Sequence, residues 1–166
     1  MPGSEACESR RNNWPAREEQ TAMQIESEDR QSVLLLQSIQ AELSAFPSIC
    51  VSVDLRSKHV SGSDSGIWIE LEKLESFIKA LTSLDHARKG EALLESMSPG
   101  ELWLRVYPVD SRGHIALEIK INGKHFVGHR YMDHGCHTAF LLEPTALPHV
   151  CEGLRILINQ QREKAV

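Results

Sequence analysis

Residues 96–121 read SMSPGELWLRVYPVDSRGHIALEIKI, and apolar side chains take alternate positions twice over, at Leu102, Leu104 and Val106 and again at Ile115, Leu117, Ile119 and Ile121. Period-2 alternation sends successive side chains to opposite faces, so each run is a strand with one buried face. Asp110, Ser111, Arg112 and Gly113 between them are turn formers, and the pair is a β-hairpin. A hairpin with an apolar face has to be covered, so the flanking segments are read for what they can lay against it.

Residues 90–97 alternate through Ala92, Leu94 and Ser96, and Ser98, Pro99 and Gly100 turn the chain into the hairpin, which makes an antiparallel meander. Two amphipathic helices are expected to cover this sheet from one side. The first spans about 72–85, with Leu74, Phe77, Ile78, Leu81 and Leu84 at helical spacing and Glu75 four residues before Lys79. The second spans 145–162, with Leu147, Val150, Cys151, Leu154, Leu157 and Ile158 on one face and Pro148 in its first turn. Residues 49–55 alternate as a strand, the Ser/Gly-rich stretch 61–66 reads as a turn, and 67–71 as the returning strand with Trp68 facing away from Ile67 and Ile69. Residues 139–142 are a further strand, and 125–129 extend the sheet or form a flap.

Residues 32–46 carry two patterns. Val33, Leu36, Ile39, Leu43 and Phe46 recur at spacings of three and four, as in an amphipathic helix ending before Pro47, whereas the apolar run 33–36 suits a buried strand. Residues 1–30, with few large apolar groups beyond Trp14, Met23 and Ile25, are expected to be a disordered leader, and 31–166 a single α+β domain.

A net charge of -5 argues against a phosphate-binding surface, since nucleic-acid affinity rests on clustered Lys and Arg, and no run of basic residues interleaved with aromatics is read in the chain. Cys7, Cys50, Cys136 and Cys151 are widely spaced without a CxxC pair, and Cys50 and Cys151 fall on apolar faces as small hydrophobes. With no signal-like apolar segment and no stretch long enough to span a bilayer, a cytoplasmic location without membrane attachment is expected.

The densest chemistry is histidine. His114, His125, His129, His134 and His137 fall within 24 residues. His125, His129, His134, Cys136 and His137 could furnish a tetrahedral zinc site, although their spacing matches no defined metal motif and solvated loop histidines are the simpler reading. Cys136 between His134 and His137 is a poor nucleophilic pair, because neighbours in extended chain point apart. Ser63 and Ser65 lack the strand-turn-helix setting of a nucleophile elbow. Glu70, Glu72 and Glu75 at a helix start are explained by the helix dipole, and Asp110 and Arg112 by turn chemistry. No catalytic constellation and no cofactor motif is found.

Trp68 before the first helix, SPGEL at 98–102, DSRGHI at 110–115 and EPTALP before the last helix are the segments through which the chain resembles WapI-family immunity proteins and related small bacterial domains. The resemblance implies an N-terminal β-pair, a helix, a meander and a C-terminal helix. It makes 33–37 a strand, and that assignment is adopted. It also implies a non-catalytic protein that neutralises a bacterial toxin by direct binding. Glu70, Glu72, Asp110 and Arg112 are the candidate partner-binding residues, with the acidic ones steering a basic partner. The alternatives are a zinc-binding or zinc-regulated protein using the 125–137 segment, and a structural homodimer formed through an uncovered sheet face or an open edge strand.

Overall fold

The computed structural model describes residues 22–164. The fold is α+β: two four-stranded antiparallel meanders, each followed by a helix. The first meander is β1 (Met23–Glu26), β2 (Val33–Glu42), β3 (Ser48–Arg56) and β4 (Ser61–Glu70), and it leads into α1 (Leu71–Ala87). The second is β5 (Ala92–Glu95), β6 (Leu102–Pro108), β7 (Ile115–Val127) and β8 (Arg130–Leu142), and it leads into α2 (Ala146–Lys164).

The halves repeat one plan in detail. Leu74, Phe77, Ile78, Leu81 and Leu84 are buried on α1, and Leu147, Val150, Cys151, Leu154 and Leu157, each 73 residues further on, are buried on α2. Leu36 pairs with Val53 and Val51 with Ile67 in the first sheet; Leu104 pairs with Ile119 and Leu117 with Phe140 in the second. The helices are exchanged between halves: α1 packs on β4 and on β5, α2 packs on β1 and β2, and the two helices touch. Backbone bonds close the seams, from Met97 N–H to Trp68 O and from Glu28 N–H to Leu141 O. One continuous apolar core results, drawn from every strand and both helices.

Several expectations change on this frame. The meander and the two helices are as expected, but the strands form two sheets; α2 lies on β1 and β2 of the first, whereas α1 spans β4 of the first and β5 of the second. The leader does not run to residue 30, because Met23 and Ile25 are buried in β1, which pairs along β2. Two apolar residues suffice there since α2 closes over them; a Cβ on Gly153 would meet Met23 Cγ at 2.7 Å. The part of that expectation on residues 1–21 lies outside the described residues.

Residues 33–42 are strand, with Leu34 and Leu36 buried while Ile39 and Phe46 of the helical pattern are exposed. Pairing with both β1 and β3 overrides local propensity. Residues 61–66 are strand and not a turn; the reversal falls at 57–60, where the Ser57 hydroxyl bonds Val60 O. Trp68 is half-buried beside fully buried Ile67 and Ile69, as the alternation required.

Candidate functional site

The strands β7 and β8 run on beyond the end of β6, whose first residue Leu102 pairs with Ile121. From Asn122 to Gly135 they form a two-stranded ribbon whose pairing continues to Val127 with Arg130. The tip is a two-residue connection, and Gly128 takes φ 61° at its first central position, where a type II′ hairpin turn requires a positive φ. Residues 125–137 are thus ordered strand and turn, neither a flap nor a mobile loop.

Strand alternation divides the histidine-rich segment between two faces. Ile121, Gly123 and His125 on β7 and Cys136, His134 and Met132 on β8 share the inward face, in register with the core pair Ile119 and Thr138. His125 Nδ1 and His134 Nδ1 stand 3.2 Å apart there. Below them Cys136 is buried against β4, so closely that a Cβ on Gly62 would lie 2.6 Å from its sulfur. His137 is on the outward face, its Nε2 2.6 Å from Glu118 Oε1, and His129 sits in the turn. The five proposed zinc ligands therefore do not converge, and no group of three His, Cys, Asp or Glu is placed to hold a metal among the described residues. A Cys136–His137 nucleophilic pair is also separated by the sheet. Burial pushes the Cys136 thiol above its ordinary value, and it does the same to Cys50, with the Glu101 charge adding there. A protonated thiol is a poor nucleophile.

The outward face carries Phe126 and Tyr131 with ring centroids 3.9 Å apart, a cross-strand aromatic pair at the tip. Further down, the Lys120 ammonium lies over the Trp103 ring at 4.4 Å, and Arg105 lies over Tyr107 at the same distance. Arg105 also bonds Glu91 at 2.7 Å and lies 3.8 Å from Glu118. The Lys120–Trp103 and Arg105–Glu118 contacts run between β6 and β7, whereas Arg105 and Tyr107 are two residues apart on β6.

Between the 98–101 turn and the ribbon lies an open cleft of about 910 Å³. Asn122 fixes the turn to β7: its backbone N–H donates to Glu101 O and its side-chain amide to Gly100 O, both at 2.9 Å. Burial raises the Glu101 carboxyl above the ordinary carboxylate range and the nearby Asp64 charge adds to this, against a lowering hydrogen bond from Ser98.

The candidate partner-binding residues do not form one surface. Glu70 and Glu72 are at the start of α1, where Glu70 lies 3.5 Å from Lys73. Asp110 and Arg112 are in the β6–β7 turn beside Arg88, which follows the other end of α1; a helix of 17 residues separates the two pairs by about 25 Å. Asp110 organises its turn: it accepts from the backbone N–H of Arg112 and His114 and lies 2.5 Å from His114 Nδ1, a bond that holds its carboxyl below the ordinary value.

Of the two expectations for 125–129, extension of the sheet holds, through Val127; the basic and aromatic character of the resulting ribbon was not expected. Lys124, His125, Phe126, Arg130 and Tyr131 are basic residues interleaved with aromatics, a pattern divided in sequence by the Gly128 turn and assembled by the hairpin. Gly123 and Gly128, spaced around an apolar pair, were the available signal. No protein-family model, no curated protein and no solved structure matches the chain.

Proposed function

We propose that the chain is a non-catalytic protein-binding domain that docks its partner on the β7–β8 ribbon, in the manner of an immunity-type protein neutralising a bacterial toxin by contact. The observation that carries this reading is the tip: Phe126, Val127, Tyr131 and Met132 are 62%, 57%, 65% and 47% exposed although the chain has a large core elsewhere to bury such residues. Phe126 and Tyr131 lie together on one face of the tip and Val127 and Met132 on the other; exposed apolar groups of this kind mark interaction sites, and aromatic residues dominate the energetic centres of such interfaces. Lys124 and Arg130 outnumber Asp133 along the ribbon of an otherwise acidic protein, so the complementary patch on the partner is acidic where it meets the tip. This reverses the charge expected from Glu70, Glu72 and Asp110.

The test is photo-crosslinking in the native host, with a benzophenone side chain at position 126 or 131 and a control at exposed Lys79 on α1. One discrete protein adduct from both ribbon positions and none from the control is the expected result. An adduct with a second copy of the chain replaces this reading with the homodimer. Absence of adducts, or equal labelling from position 79, overturns it.

A further inference from the structure

His125 and His134 are not directly opposed in the ribbon; the register sets His134 against Gly123 and His125 against Met132. Their meeting depends on the glycine. A Cβ at position 123 would stand 2.6 Å from His134 Nε2, so the imidazole lies across the bare backbone and presents Nδ1 to His125. Asp64 Oδ2 of β4 is 3.4 Å from the same point.

We infer that His125 and His134 form a two-imidazole site for zinc on the inward face of the ribbon, each ring binding through Nδ1. Two nitrogens each ~2.0–2.1 Å from a tetrahedral ion stand about 3.3 Å apart. Adjacent nitrogens of a square-planar ion at similar bond lengths stand about 2.9 Å apart. The separation here is 3.2 Å, and so the pair fits a tetrahedral centre with little movement. Two side chains complete half of such a shell, and no third His, Cys, Asp or Glu joins them among the described residues. Water or a donor atom of a bound molecule takes the remaining positions, and the ion is exchangeable, unlike that of a four-ligand structural centre. Zinc at this place ties β7 to β8 just below the exposed tip. His129, His137 and Cys136 take no part. The site is independent of whether the tip docks a protein.

Zinc titration of the tag-free full chain by calorimetry at near-neutral pH tests this, with amide NMR spectra confirming the fold of each variant. His125→Gln and His134→Gln preserve size and polarity; His129→Gln and His137→Gln are the controls. The expected result is one saturable equivalent in the wild type, weakened at least about tenfold in each of the first two variants. Both controls retain it, and imidazole nitrogen shifts report metallation at Nδ1. No saturable binding by the folded wild type, a similar loss in all four variants, or metallation at Nε2 overturns the assignment.

Discussion

Substituting Gly62 by Ala puts a methyl group where β4 crosses the inward face of β8. The new Cβ lies 2.6 Å from the sulfur of buried Cys136 and 3.4 Å from its Cβ. Overpacking of this kind in a closed interior costs about 1–3 kcal/mol. The glycine backbone is outside the left-handed region, so alanine fits its conformation, and removing glycine's freedom in a strand contributes about 0.5–1 kcal/mol in the opposite direction. The net expectation is a loss of about 1 kcal/mol. In a Cys136→Ala background the sulfur is gone and only the ordinary 3.4 Å contact remains. There the same substitution should stabilise by about 0.5–1 kcal/mol. The sign reversal corresponds to a coupling of roughly 1.5–2 kcal/mol, well above the scatter of additive pairs. Urea unfolding of the four proteins measures it through the midpoints, provided the slopes agree. Additive effects within about 0.5 kcal/mol would show that β4 and β8 do not approach as described, and with them would fall the seam that joins the two sheets.

Glu101→Gln should stabilise the protein at neutral pH. The folded-state carboxyl of Glu101 titrates above its unfolded value because it is partly buried near Asp64, so the folded state binds that proton more tightly. Wild-type stability from this group therefore falls as pH rises from the unfolded value through the folded one, and the full penalty is present at neutrality. The variant's advantage should vanish below about pH 4; an advantage unchanged at low pH would mean that the charge is not its origin. Replacing residues 123–134 by the four residues 57–60, the equivalent connection of the first half, should leave urea-unfolding stability within about 1 kcal/mol and abolish both ribbon crosslinking and zinc binding. Loss of the fold would show that the ribbon is structural.

The sequence declared its core well because both helical stripes and the strands β3, β5, β6 and the first half of β7 bury one face against a common interior, and burial is what periodicity records. It misled where a second constraint acted. Residues 33–42 have a helical spacing of apolar groups, yet β2 is held between β1 and β3, and only Leu34 and Leu36 of its larger side chains are buried. Ser61 to Gly66 have turn-forming composition because β4 there faces solvent on one side and, at Gly62, another strand too closely for a side chain on the other. The histidine segment looked like a loop for a related reason. A ribbon exposed on both faces has no buried set, so alternation of hydrophobicity carries no message in it, and only register decides which histidines meet.

The duplicated plan separates what the fold needs from what it does not. Leu36 with Val53 and Leu104 with Ile119, the two helical stripes, and the seam bonds from Glu28 and Met97 occur once in each half, and a requirement met twice by apolar side chains at equivalent positions is a requirement of packing. In the first half, β3 and β4 are joined between Arg56 and Ser61 by four residues. At the equivalent place in the second half, between the paired residues Asn122 and Gly135, the chain extends as paired strand to residue 127 and returns from 130. That extension contributes nothing to the core, and its large apolar residues are exposed. Exposed aromatic surface on an ordered strand pair invites association, a liability that a fold without use for it would blunt with charge or shorten. The first half has the short version of the same hairpin, so the architecture does not demand the long one. What distinguishes the halves is also where Phe126 meets Tyr131 and His125 meets His134, and it is there that binding has to be sought.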